Sequence, residues 1–171
     1  MTLPEPKLKL SDNPRIGAFM TPAPATVAAD LRVMDAFERM YIDNIRHLPV
    51  VNSERQVVGL LTSSDIAQFT SIEGESIEEQ LVADRMNKSP YTCELTTGVE
   101  EVARELETRQ LDCALVTEDH KLVGIFTTTD ALVAVRSLIA GELLEPIHPA
   151  EHEPTDKAPT SPNEIHLRKR V

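Results

Sequence analysis

Tryptophan is absent from this 171-residue chain, and two Tyr and four Phe are its whole aromatic content. With hydrophobic residues at 41%, the interior must be built from Val, Leu, Ile, Ala and Met. No apolar run approaches the ~20 residues that span a bilayer, so no membrane segment is expected. The start, Met1-Thr2-Leu3-Pro4-Glu5-Pro6, has neither a basic stretch nor an apolar core, and predicts no secretory signal. Cysteine is equally scarce. Cys93 and Cys113 form no metal-binding spacing and, without a signal, no expected disulfide. These absences point to a cytoplasmic protein. Positive charge is short too: 17 Lys and Arg face 28 Asp and Glu, a net −11. Non-specific binding to DNA or RNA needs cations on phosphates, so neither is an expected partner. A single nucleotide survives this exclusion, because one phosphate group needs only a local basic site. There is no Walker loop, Rossmann glycine fingerprint, HExxH or Ser-His-Asp ordering. Asp65 and Asp130 give no sign of acting as an acid–base pair, so no catalytic residue, enzyme activity, metal or resident cofactor is expected.

What the chain does have is a repeated stretch. Gly59-Leu60-Leu61-Thr62-Ser63-Ser64-Asp65 and Gly124-Ile125-Phe126-Thr127-Thr128-Thr129-Asp130 share Gly, two large apolar residues, Thr, two small hydroxylated residues and Asp. In each, a β-rich run feeds a hydroxyl-rich corner and then a helical pattern. Such a corner presents hydroxyls and free backbone N–H groups to an anion, and its Asp accepts hydrogen bonds from ligand hydroxyls. Thr-x-x-Asp is also close to a capping box, which needs no ligand. Both readings stand at this point.

The repeat extends beyond the corners. Met20-Thr21-Pro22 is matched by Met86-Asn87-Lys88, 66 positions on, and Ala25-Thr26-Val27 by Tyr91-Thr92-Cys93. A helix over Leu31–Asn44 is expected to put Val33, Met34, Phe37, Met40 and Tyr41 on one face, capped by Asp30. Its counterpart carries Val99, Val102, Ala103 and Leu106, opened by Thr97 with Glu100 three residues later. Ile45-Arg46-His47-Leu48-Pro49-Val50-Val51 and Leu111-Asp112-Cys113-Ala114-Leu115-Val116-Thr117 follow as strands. A turn one residue longer in the first copy brings the offset to 65 at the glycines, and a turn is where a repeat tolerates a length change. Each unit reads strand, helix, strand, strand, helix, and two such units are expected to pack face to face. The expected layout is an arm over 1–15, a first unit over 16–71, a linker over 72–83 and a second unit over 84–140. A short helix is expected at Ile77–Ala83. The Pro-rich stretch 141–171 is expected to be a disordered tail. Helix faces bearing Ile66, Phe69, Leu132, Val135, Leu138 and Ile139 are expected to be covered by a second copy.

The order, spacing and duplication of these motifs resemble the CBS-domain pair, or Bateman module. The motifs are Met20-Thr21-Pro22, Ile45 through Val51, Gly59 through Asp65, Arg85-Met86, Leu115-Val116 and Gly124 through Asp130. The resemblance covers roughly residues 16–140. It implies an α/β fold, an α+β sandwich of tandem βαββα motifs with pseudo-twofold symmetry. It also implies a stand-alone regulatory module that binds adenosine-containing ligands (AMP, ADP or ATP) between its units and signals occupancy to an unidentified target protein. The rival from another class is a ligand-free interaction protein acting through dimerisation and docking.

The resemblance further implies two ligand sets. One combines Thr127 and Asp130 with Met20, Ala25, Ile45, Arg46 and His47. The other combines Thr62 and Asp65 with Met86, Tyr91, Leu111, Asp112 and Cys113. In each the Asp would take the ribose hydroxyls while the Thr and helix N-terminus meet phosphate. Arg46 and His47 in one set face Asp112 and Cys113 in the other, which predicts unequal clefts. Two unit charges ~4 Å apart interact by roughly 4 kcal/mol at an effective dielectric of 20, so an Asp beside phosphate matters. The nucleotide is therefore expected in the cleft of Thr127 and Asp130, and a weaker or uncharged ligand in the other.

Overall fold

The computed structural model describes residues 13–69 and 79–140. After a short 3-10 turn at Ile16–Ala18 come β1 (Thr21–Pro22), α1 (Val33–Asp43), β2 (His47–Val51), β3 (Val57–Thr62) and α2 (Ser63–Gln68). Then follow α3 (Val82–Arg85), β4 (Thr92–Glu94), α4 (Val99–Arg109), β5 (Cys113–Glu118), β6 (Lys121–Thr127) and α5 (Thr128–Ala140). The expected mixed α/β repeat is what forms. Helices α1 and α4 both end on a residue in the left-handed region, Asn44 (φ 52) and Gln110 (φ 53), which turns the chain back into a strand.

Two sheets result, one ordered β1-β6-β5-β4 and one pairing β2 with β3. The smaller sheet is widened by single bridges, Val27 parallel to Val50 and Leu60 antiparallel to Asn87. Register shifts at Val50/Val51 and Val116/Thr117 leave Val58 and Val123 as extra residues in β3 and β6. This explains how Leu122 and Ile125, an odd number of positions apart, face the same way. They meet Leu60, Cys113 and Leu115 in a core between the sheets. The opposite faces bury Leu48, Val50 and Leu61 under α1 and Ile66, and Ala114, Val116 and Phe126 under Val102 and Leu106. Helices, sheet, sheet and helices thus stack as layers. A β5 covered on both sides is buried from Cys113 to Thr117.

The lead segment of each unit crosses to the other unit, and does so symmetrically. β1 pairs with β6 through Thr21–Ile125, while Asn87, the equivalent of Thr21, pairs with Leu60. Pro14 O accepts from Val99 N (2.8 Å), and Gln80 O accepts from Val33 N (2.8 Å). Met20 lies against Gly124 and Met86 against Gly59, where a Cβ would leave no room for either thioether. The two motif glycines are therefore needed for packing of the exchanged methionines.

This exchange replaces the expected helix caps. α1 starts at Val33 with Arg32 as N-cap and no side-chain cap, so Asp30 does not cap it; residues Gln80 and Leu81 supply backbone partners instead. α4 starts after Gly98, not Thr97, and Asn13 Oδ1 accepts from Glu100 N at 3.1 Å. Part of the expected arm is thus docked structure. The face expected on α1 divides: Val33 and Met40 enter the core with Ala36, while Met34, Phe37 and Tyr41 stay exposed. Ile66 is buried in its own unit and Phe69 packs against it under the Arg85 guanidinium. Of the expected outer face, Leu132, Val135 and Ile139 are exposed. The short helix expected at Ile77–Ala83 appears as Val82–Arg85. The tail over 141–171, the arm up to residue 12, the last two positions of the expected first unit (70–71) and linker positions 72–78 lie outside the described residues.

Candidate functional site

Both corners form capping boxes. In the first, Thr62 N (2.9 Å) and Thr62 Oγ1 (2.7 Å) donate to Asp65 Oδ2, and Asp65 N donates back to Thr62 Oγ1 at 3.1 Å. In the second, Thr127 N and Oγ1 each donate to Asp130 Oδ2 at 2.8 Å, and Asp130 N to Thr127 Oγ1 at 3.3 Å. The cap consumes one carboxylate oxygen per Asp. The other, Oδ1, receives only a long contact from Thr21 Oγ1 (3.4 Å) in Asp130, and no hydrogen bond among the described residues in Asp65. The cap and ligand readings thus use different atoms of the same side chain. Thr21 was absent from the sequence-derived set although it stands between Met20 and Pro22. Its proximity to Asp130 follows from the β1–β6 exchange, which the linear repeat does not display.

The remaining expected residues fall into five places. Met20 and Met86 press on the motif glycines, and Ala25 and Ile45 pack against the first-unit core. Tyr91 and Leu111 pack against the second, with the Arg109 guanidinium 5.3 Å from the Tyr91 ring. Cys113 is buried between the sheets, its thiol pushed up to about 12 by that burial; the Cys93 thiol reaches the same value under its own core. Arg46, His47 and Asp112 surround the corners. Arg46 O accepts from Ser63 N (3.0 Å), and His47 pairs with Thr62. By symmetry Asp112 O accepts from Thr128 N (3.1 Å), and Cys113 pairs with Thr127. Within each hairpin the backbone thus seats Arg46 and His47 next to the Thr62–Asp65 corner, and Asp112 next to the Thr127–Asp130 corner. At His47 the charge of the other unit is felt. Burial holds its imidazole below its ordinary pKa, against the opposing pull of Asp112 in the other unit and of Asp65; Arg46 adds to the depression.

A shallow depression of about 360 Å³ lies on the outer side of the second unit. Ala103, Leu106, Glu107, Gln110, Leu111, Asp112, Thr128 and Ala131 line it. It is not the space expected between the units. Among the described residues, no group of His, Cys, Asp and Glu gathers as a metal site, and no helix is long and apolar enough to cross a membrane.

Comparison with known proteins fits this geometry. The CBS domain family matches twice, over residues 16–71 and 82–137. The chain belongs to the CBS-domain family. The crystal structure of an uncharacterized conserved protein from Pyrococcus horikoshii superposes with a TM-score of 0.68 at 29% identity, covering 74% of this chain and 96% of that one. The structure of CBSX2 in complex with AMP gives 0.66 at 26% identity, covering 73% and 98%. The homoserine O-acetyltransferase of Methanohalobium evestigatum is 27% identical over 107 residues, 62% of this chain and 21% of that protein. The chain thus spans about a fifth of the length of the first curated relatives it matches. The CBS pair accounts for nearly all the described residues.

Proposed function

We propose that this CBS pair is a regulatory module that binds an adenosine-containing ligand, AMP, ADP or ATP, between its units and passes occupancy to a partner protein. The observation that carries this reading is the pair of corners. Each capping box fixes its Asp and leaves Oδ1 turned to other donors, as a ribose diol would require. The AMP complex of CBSX2 supports the ligand class. In the enzymes among the relatives the matched part is a fraction of the chain, and we read it as regulatory, not catalytic. The exposed apolar stripes on α1 and α5 favour a second reading, an interaction protein that pairs with itself, and the two are compatible. The setting we propose is cytoplasmic.

Applied to the neighbours within each hairpin, the charge argument from sequence favours the other cleft, and we propose that ranking for test. It ranked Thr127 and Asp130 first because it gave them Arg46 and His47. With both beside Thr62 and Asp65, and Asp112 beside the second corner, an anionic ligand is favoured at Asp65 with Arg46 facing its phosphate. Arg offers a fixed fork for two oxygens, whereas Asp112 repels them. The tests are thermal shifts with AMP, ADP and ATP, then calorimetry on Asp65→Ala and Asp130→Ala. Ligand at 100 times Kd stabilises by about 2.7 kcal/mol, which is easily read. Loss of the tight site in Asp65→Ala and its retention in Asp130→Ala is the expected result. The reverse pattern restores the original ranking, and no shift with any nucleotide leaves the interaction reading.

A further inference from the structure

Five methionines occur in the chain, and four lie among the described residues. Met20 and Met40 are sealed at 2% exposure, Met34 stands 40% exposed on α1, and Met86 is partly exposed. Met20 and Met86 hold the same position of the repeat, 66 residues apart, and each lays its thioether on the motif glycine of the other unit. One copy of this wedge is closed to solvent, and the other is open to it. An accessible thioether is a common target of oxidation, whereas a cysteine reacts only as its thiolate. Cys93 and Cys113 are buried and held as thiols, so neither competes for the oxidant.

The surroundings of Met86 suit a thioether and exclude its oxide. A methyl group built on Gly59 would meet Met86 Cγ at 2.9 Å and Asn87 O at 3.1 Å, with the sulfur closer still. The rest of the side chain packs on the core of Leu48, Val50, Leu61 and Ile66. The neighbouring backbone donors are already used: Met86 N by Val82 O, Asn87 N by Leu60 O, and Leu60 N by Asn87 O. A sulfoxide oxygen left here would be buried without a donor, so the oxidised side chain has to turn out to water and abandon the glycine. The segment that carries it is weakly held, for Asn87 joins Leu60 through a single bridge of two hydrogen bonds.

We infer that Met86 is a reversible oxidation site, through which a hydroperoxide loosens the hold of the second unit's lead segment on the first unit. A lone pair of Met86 Sδ attacks one peroxide oxygen and the O–O bond breaks as the S–O bond forms. The proton of the transferred oxygen passes to the departing hydroxide, which leaves as water. Sulfur is oxidised by two electrons and the peroxide is reduced by two. A dithiol acting through a sulfoxide reductase returns the electrons, restoring the thioether and releasing water. Sealed Met20 stays reduced, so the exchange opens on one side only. Neither step needs a nucleotide, and both stand apart from the ligand reading.

The test treats the full-length chain with dilute hydrogen peroxide, locates added oxygen by peptide mass spectrometry and reads Tm by circular dichroism. In native buffer Met86 and Met34 are expected to gain one oxygen each, while Met20 and Met40 gain it only in denaturant. Tm is expected to fall by about 2–8 °C, the range for losing one buried contact in a chain of this size. Methionine sulfoxide reductase with dithiothreitol should restore it. Met86→Leu keeps the bulk without the sulfur and should hold its Tm through peroxide treatment, whereas Met34→Leu should lose Tm as wild type does. Should Met86→Leu itself melt low, the wild-type time course decides, since Tm must fall in step with oxygen at Met86 and not at Met34. A Met86 that stays reduced while Met34 reacts overturns the inference. So does a Met20 that reacts as fast as Met86, or an oxidised Met86 that leaves Tm unchanged.

Discussion

Gly124 tests the exchange of lead segments directly. A methyl group placed there meets Met20 Cγ at 3.0 Å and Cε at 3.1 Å, with the sulfur closer still. Met20 is 2% exposed, so it has no solvent to retreat into. Overpacking of this kind costs about 1–3 kcal/mol. The same change restricts the unfolded chain and returns roughly 0.4–1 kcal/mol. A net loss of about 1–2 kcal/mol is expected for Gly124→Ala, or about 2–8 °C in Tm for a chain of this size. Met20→Ala is expected to cost about 2–5 kcal/mol through the cavity it leaves. In the double variant the new methyl occupies part of that cavity, so the losses should fall short of additive by about 1 kcal/mol. Urea unfolding followed by far-ultraviolet circular dichroism is the assay, since the chain has no Trp. A Gly124→Ala variant within 0.5 kcal/mol of wild type on the scale of ordinary surface changes, or strictly additive losses, would refute the packing role.

Three further outcomes follow from the same structure. Because burial lowers the His47 pKa, the folded state resists a proton that the unfolded chain accepts near the ordinary imidazole value of 6.5. Stability from this group is full above that pH and lost as pH falls towards the folded value, so His47→Gln should flatten the urea midpoint between pH 7 and 5; an unchanged slope would contradict the assignment. Cys93 and Cys113, held near 12 by burial, should react with a thiol reagent only once denaturant is added, and rapid labelling in native buffer would show that the cores open readily. Asn13→Ala removes the acceptor for Glu100 N and should cost about 0.5–2 kcal/mol in the same unfolding assay; no change would mean that the N-terminus of α4 needs no side-chain cap.

The fold was legible because its strongest signals are local and doubled. Leu48 and Val50, and Ala114 and Val116, carry the strand periodicity, and each Thr–Asp corner spells its cap within four residues. What sequence spacing did not display was partnership at long range. Asp30 and Thr97 looked like caps because cap signals are local, yet the groups that met those helix ends, Gln80 and Asn13, come from across the chain. The division of α1 was hidden for a related reason. Met34, Phe37 and Tyr41 are as apolar as Val33 and Met40, and only the sheet's position tells which stripe it covers. Motif order says which residues precede a strand, not which corner that strand's carbonyls reach, as with Arg46 O at Ser63 N. Thr21 was passed over because its reach to Asp130 depends on the strand exchange.

The reciprocal exchange of lead segments also governs how the protein comes into being. The first unit's last strand waits for Asn87, and the N-terminus of α1 waits for Gln80 and Leu81. On a ribosome, residues through Gln68 therefore emerge with one sheet edge and one helix end unsatisfied. The second unit in turn cannot close until β6 finds Thr21 and Pro22, and α4 finds Pro14, 85 positions earlier. Contacts this distant slow folding, because chain closure precedes any gain from them. Neither half satisfies its own sheet edge and helix end, so the chain is expected to reach full stability only after β6 has cleared the exit tunnel.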